Sequence, residues 1–160
     1  MVRFGSNENG VSLIELMITI TILSILVLAG TSLTGLWSKQ AELDKATISL
    51  KSGVSLARSI AIRNEFPHQT AYMASQICFN RINNELSVHK ATATESASCS
   101  TPVAFKYPLS QTIEIKNNNI DFLCFSFNHL GQVSNDIGSC ETNLSLTISN
   151  GSLNETLNLN

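Results

Sequence analysis

Charge is missing where it would normally be expected. From Leu16 to Ser38, a run of 23 residues, there is no Lys, Arg, Asp or Glu. No Lys or Arg follows Lys116. Proline is absent from Val11 to Phe66, and the chain holds only 3 prolines in all. There is no Cys-x-x-Cys pair, and no His stands at a spacing typical of zinc ligands, so the 4 cysteines do not read as a metal site. There is no Gly-x-Ser-x-Gly elbow and no glycine-rich phosphate loop. These absences remove the common hydrolase, nucleotide-binding and zinc-binding classes. His68, His89 and His129 are scattered and read as surface or structural residues. The C-terminal lack of cations argues against nucleic acid as a partner, because phosphate affinity comes chiefly from Lys and Arg.

What is present is one domain's worth of chain plus an appendage: 160 residues, 43% hydrophobic, with a net charge of -2. That balance exerts no broad pull on nucleic acid or anionic lipid. The apolar residues crowd into the first quarter. The uncharged run is long enough to cross about 30 Å of hydrocarbon as a helix. A cleavable secretory signal has a shorter core of about 7–15 residues and an Ala-x-Ala site, and neither is found here. Arg3 precedes the run, and Lys39, Lys45 and Lys51 follow it. Counted alone, these cations would hold the body in the cytoplasm, but a long downstream domain can be translocated regardless of its charges. An even set of cysteines without metal spacing favours disulfides and an oxidising compartment. Four cysteines allow three pairings, and the shortest loops give Cys78–Cys99 and Cys124–Cys140.

After Trp37 the apolar residues take up a helical period. Leu43, Ala46, Leu50, Val54, Ala57 and Ala61 recur at steps of three and four, with Ile60 widening the stripe. Lys39, Glu42, Lys45, Lys51 and Arg58 fall elsewhere. One helix from about residue 11 to 64 is expected, about 80 Å long, with Pro67 as its stop. Gly30, Gly35 and Gly53 are its expected weak points. Beyond Pro67 short runs at 70–79, 85–91, 111–116 and 120–127 read as strands. Residues 91–102, "ATATESASCSTP", read as a loop pinned by Cys99. Asn150-Gly151, set between alternating apolar residues, predicts a hairpin whose two turn residues take positive φ. The fold class is therefore α+β, an antiparallel sheet with the back half of the helix laid on it.

Glu15 is the anomaly. A charge at the bilayer centre costs ~2.5–3.5 kcal/mol, and a lone buried carboxylate needs a cationic partner. Gly10 followed by "VSLIELMITITIL" resembles the class III signal of type IV pilins and type II secretion pseudopilins. The resemblance implies a pilin-like fold and a leader of residues 1–10. A prepilin peptidase would cut between Gly10 and Val11, and Val11 would be N-methylated. Residues 11–38 would be the transmembrane and assembly half of the helix, and residues 39–160 a periplasmic body on a single-pass inner-membrane protein. It further implies that Glu15 takes the terminal amine of a neighbouring subunit, with Leu13, Ile14, Leu16 and Met17 in the filament core beside Ile18, Ile20 and Ile22. Val11 replaces the more usual Phe, Ser32 stands where major pilins carry a kinking Pro, and the leader is poor in Lys and Arg.

A second resemblance extends further. "LARSIAIRNEFPHQTAYM" and the "FNHLGQV" turn are similar to the GspH/FimT/FimU group of minor pilins. This implies a non-enzymatic minor pilin without cofactor or metal, whose partners are major and minor pilins and the peptidase. It would help prime pilus assembly and form the tip complex. A GspH-like minor pseudopilin of type II secretion is the alternative. Some FimT-like pilins bind DNA through a C-terminal Arg-bearing segment, which this chain lacks. Arg81, Lys90, Lys106 and Lys116 would have to share one face to replace it.

Overall fold

The computed structural model describes residues 10–63, 73–134 and 140–159, with the backbone alone at 31–33. One helix, α1, spans Leu13–Ile62. Eight strands follow: β1 Ser75–Asn80, β2 Glu85–Lys90, β3 Val103–Pro108, β4 Ile113–Asn117, β5 Ile120–Asp121, β6 Cys124–Phe127, β7 Ser145–Asn150 and β8 Leu153–Asn158. The chain divides into two compact units, Met1–Ser38 and Lys39–Asn160. The class is α+β, a long N-terminal helix packed on antiparallel sheet.

The body, Lys39–Asn160, is built on the helical stripe. Leu43, Ala46, Leu50, Val54, Ala57 and Ala61 are all buried and join one core with the apolar faces of the strands. Small residues let the helix lie close to the sheet. Gly53 is the tightest point: a Cβ placed there would stand 2.8 Å from Ile77 Cδ1 and 3.2 Å from Leu86 Cδ2. The helix runs on through all three glycines. At Gly53 the missing side chain serves close packing, where a weak point was expected. The expected stop at Pro67 lies outside the described residues.

Two sheets replace the single sheet expected. The first has the order β3-β2-β1-β6 and the second β5-β4-β7-β8. The run 120–127 accordingly divides. Phe122 and Leu123 pass the chain from one sheet to the other. Phe122 N–H donates to the Ile115 carbonyl in the second sheet, while the Leu123 carbonyl accepts from Phe79 N–H in the first. Phe122 is fully buried and tilted against Phe125 at 4.7 Å between ring centroids. β1 begins at Ser75, and residues 70–72 of the expected strand lie outside the described residues. β3, which the sequence reading passed over, is an edge strand with an almost wholly exposed pattern. An edge strand open to solvent has little apolar alternation to give it away.

The two sheets bury different amounts. In the second, β4 and β7 alternate, with Ile113, Ile115, Leu146 and Ile148 inward. In the first, β1 and β2 are buried on both faces. Ile77 meets the helix side, while Cys78 carries the bridge to Cys99 on the 91–102 loop. A covered outer face explains why polar Gln76, Ser87, His89 and Ser126 are buried there.

The hairpins use asparagine and glycine for their left-handed geometry. Between β4 and β5, Asn118 (φ 47°) and Asn119 (φ 67°) form a two-residue turn of the I′ kind. Between β7 and β8 the turn is displaced by one residue from the expectation. Asn150 pairs with Leu153, so Gly151 and Ser152 are the turn residues, and only Gly151 (φ 64°) is positive. That is the II′ pattern, with glycine first. Asn150 is freed for a different task, described below.

Replacement of Leu50, which is fully buried, by Ala should cost ~2–5 kcal/mol in urea denaturation of the detergent-solubilised chain. Ile48→Ala, at a residue 66% exposed two positions away, should stay within ~0.5 kcal/mol. Gly53→Val should cost ~1–3 kcal/mol by overpacking against Ile77.

Candidate processing and assembly site

In the N-terminal unit, Ser12 precedes the helix and its carbonyl accepts from Leu16 N–H at 3.1 Å. Glu15 is the acidic residue of the first turn. A carboxylate there is favoured by the partial positive charge of the helix start, by ~0.3–1 kcal/mol at an exposed site. Gly10 and Val11 lie just ahead of the helix and are exposed.

The helix beyond Glu15 is apolar on every side. Leu13, Ile14, Leu16, Met17, Ile18, Ile20, Ile22, Leu23 and Ile25 are each more than half exposed. Its mean hydropathy reaches 2.4 over an 18-residue window, none of it buried in the monomer, and it is long and apolar enough to cross a membrane. A helix that is hydrophobic all round needs lipid or other protein around it. Its few hydroxyls suit that setting. Thr19 donates to the Leu16 carbonyl at 2.8 Å, Thr21 to Met17 at 2.7 Å and Ser24 to Ile20 at 2.8 Å. Each polar hydrogen is thus satisfied within the helix itself, as hydrocarbon demands.

The body is held to its own stretch of helix by side chains that the sequence reading did not single out. Asn150 is 1% exposed. Its Nδ2 donates to the Lys39 carbonyl and to Glu42 Oε2, both at 3.0 Å. Thr112 Oγ1 donates to the same carboxylate oxygen at 3.1 Å. These donors, Asn150 foremost, hold the Glu42 carboxyl below the usual glutamate range. Thr47 reaches β8 through Glu155 Oε2 at 2.8 Å. Arg58, counted in the sequence with the outward charges, is half-buried. It donates to the Leu159 carbonyl at 2.7 Å and lies 5.9 Å over the Phe127 ring. In the sequence Asn150 stood out for its Asn-Gly turn and its Asn-x-Ser triplet, and not for a contact with the helix.

The four cysteines converge on the outer face of the first sheet. Cys78 is bridged to Cys99 and Cys124 to Cys140. Cys78 and Cys124 are direct partners across β1 and β6. The Gln76 amide lies between the bridges, with Nε2 3.4 Å from Cys99 Sγ and 3.0 Å from Cys140 Sγ. Bridges closing loops of this size contribute ~2–4 kcal/mol each.

Nearby, Ser87 and His89 form a pairing with the look of a catalytic dyad. Their Oγ and Nε2 are 2.9 Å apart. The carbonyl of Thr101 can only accept, so Nδ1 of His89, 2.7 Å away, carries a proton. Both residues are buried on β2, an internal strand whose backbone N–H groups are drawn into ladders with β1 and β3. No preorganised donors are left for an oxyanion, and the pair ties the 91–102 loop to the sheet. His129 is exposed, and His68 lies outside the described residues. No group of three or more His, Cys, Asp or Glu able to hold a metal occurs among the described residues.

Of the four cations required for a basic face, three are matched by acids. Arg81 pairs with Asp121, Lys106 with Glu85 at 2.7 Å and Lys116 with Glu114 at 2.8 Å. The Lys116 ammonium also holds the Glu114 carboxyl below its usual range.

A helix-led α+β body preceded by an exposed, predominantly apolar helical segment with one acid in its first turn fits a protein anchored by a single membrane-crossing helix. The prokaryotic N-terminal methylation motif matches residues 5–31. The chain therefore carries the N-terminal signal shared by type IV pilin-like proteins. No curated protein and no solved structure matches the chain.

The Glu42 contacts carry a pH dependence. A carboxyl whose folded value lies below its unfolded one contributes its stabilisation above the ordinary glutamate range, and loses it as pH falls through the lowered value. Urea denaturation across an acid series should therefore show a steeper loss of stability in the native chain than in Glu42→Gln. Asn150→Ala should lower stability at neutral pH by removing the foremost donor to the Glu42 carboxylate and a side-chain donor to the Lys39 carbonyl, read as a lower urea midpoint.

Proposed function

We propose that the protein is a minor pilin of a type IV pilus. It is cut by prepilin peptidase between Gly10 and Val11, methylated on Val11, and assembled through its apolar helix into the complex that primes the filament and sits at its tip. The carrying observation is the match of the methylation motif to residues 5–31, continuous with a helix whose apolar side chains are exposed on every side. In this reading Leu13, Ile14, Leu16 and Met17 leave lipid for the sides of neighbouring pilin helices. Glu15 then meets the terminal amine that cleavage creates on an adjacent subunit. An ion pair formed at assembly removes the penalty of a lone buried carboxylate. The body, residues 39–160, lies in the periplasm, where an oxidising environment sustains both disulfides.

The minor-subunit assignment rests on the "LARSIAIRNE" and "FNHLGQV" resemblances. A minor pseudopilin of type II secretion shares every one of these features, and neighbouring genes separate the two. A DNA-receptor role is not favoured, since Arg81, Lys106 and Lys116, three of the four cations that would have to form a basic face, are each paired with an acid. Nothing in the proposed role requires catalysis or a cofactor; the chemistry is self-assembly.

Intact mass of the protein from native membranes should correspond to a chain starting at Val11 with one added methyl group and two disulfides. A chain retaining residues 1–10 would overturn the reading. Glu15→Ala should leave membrane insertion and cleavage intact and reduce recovery in sheared filament or tip-complex fractions. Recovery equal to that of the native protein would remove the ion-pair role.

A further inference from the structure

Three triplets have the Asn-x-Ser/Thr form that N-linked glycosylation requires: Asn143-Leu144-Ser145, Asn150-Gly151-Ser152 and Asn154-Glu155-Thr156. In sequence they are equivalent, but the structure separates them. Asn150 is 1% exposed, and its Nδ2, the atom that would be modified, is committed to Lys39 and Glu42. Asn154 is exposed but lies within β8, its backbone held in register opposite Ser149.

Asn143 differs in its own setting. It is exposed and lies outside the strands, two residues ahead of β7, whose first residue, Ser145, stands opposite Asn158. Its Oδ1 accepts from Ser145 N–H at 3.0 Å, closing an Asx turn over the triplet. That bond engages Oδ1 and not Nδ2, the atom that would be modified. The same turn brings the third residue of the triplet, whose hydroxyl the reaction requires, back beside the first. The segment is anchored at both ends. Glu141 N–H donates to the Cys124 carbonyl next to the Cys124–Cys140 bridge, and the Asn143 carbonyl accepts from Asn117 Nδ2 at 2.6 Å. Glu141, half-buried, also sets a carboxylate two residues ahead of the acceptor, so Glu141–Ser145 reads acid-x-Asn-x-Ser. An arginine on a transferase can take such a carboxylate as a handle.

We propose that Asn143 is an acceptor for an N-linked oligosaccharide, delivered from a lipid pyrophosphate donor on the outer side of the inner membrane. Nδ2 attacks the anomeric carbon of the donor sugar. The new N–C bond forms as the C–O bond to the pyrophosphate breaks. The lipid pyrophosphate leaves with the bonding pair, and the amide loses one proton to a base of the transferase. This inference rests on the periplasmic placement of the body proposed above.

The test is the full chain, expressed in cells supplied with a bacterial oligosaccharyltransferase and its lipid-linked donor, then extracted from membranes, alkylated without reduction and weighed intact. The expected result is a mass increase of one donor oligosaccharide, with no cysteine alkylated. The increase should persist in Asn154→Gln, disappear in Asn143→Gln and in Ser145→Ala, return in Ser145→Thr, and fall in Glu141→Gln. Ser145→Ala keeps the Asn143 amide and the backbone N–H of the turn, so its loss of signal does not depend on how Asn143→Gln folds. An unshifted mass with both disulfides formed would overturn the acceptor assignment and leave the placement standing. An unshifted mass with alkylated cysteines would overturn the placement, and this inference with it. A shift abolished by Asn154→Gln instead would also overturn it.

Discussion

The uncovered apolar surface of one helix governs this chain. A helix that is hydrophobic on one stripe can be satisfied within a domain, whereas one that is hydrophobic all round cannot. α1 is of both kinds in succession. From Leu43 to Ala61 the stripe is narrow, and two sheets cover it. From Leu13 to Leu28 no part of the molecule covers it. The fold of the body and its need for an external environment are therefore consequences of a single change in pattern near Trp37.

Within the body, burial sets where polar groups can go and what they must do. The second sheet leaves one face to solvent and keeps a plain alternation. The first sheet is closed over on its outer side by the 91–102 loop and the Cys140 segment, and its buried polar side chains, Ser126 Oγ excepted, are held by neighbouring groups. His89 is held by Ser87 and Thr101, and Gln76 lies between two disulfides. On the helix side, Ser75 donates to the Ala57 carbonyl at 2.6 Å, and Glu42 collects donors from two separate loops. Each of these bonds is specific about register in a way that apolar contact is not.

Legibility in the sequence followed the strength of the local signal. The stripe of Leu43, Ala46, Leu50, Val54, Ala57 and Ala61 was fully readable, because its period repeats over five turns. The N-terminal signal was readable because few arrangements put an acid beside so long an uncharged run. The division of 120–127 was not, since Phe122 and Leu123 are as apolar as the strands they join. β3 was hidden by its exposure. The one-residue displacement of the last hairpin turn followed from Asn150, whose amide is worth more against Glu42 and Lys39 than at a turn. Local turn preference proposed Asn-Gly, and a tertiary contact selected Gly-Ser.

The rung shared by Cys78 and Cys124 constrains the order of oxidative maturation. These two sulfurs face each other across adjacent strands, while their proper partners arrive on separate loops. Should β1 and β6 zip together before either loop is seated, an oxidant would meet a ready-made wrong pair. Escape would then require attack by the thiolate of Cys99 or Cys140 on that cross-strand bond. Oxidative folding of this body therefore places a demand on disulfide shuffling that a body with a single bridge would not make.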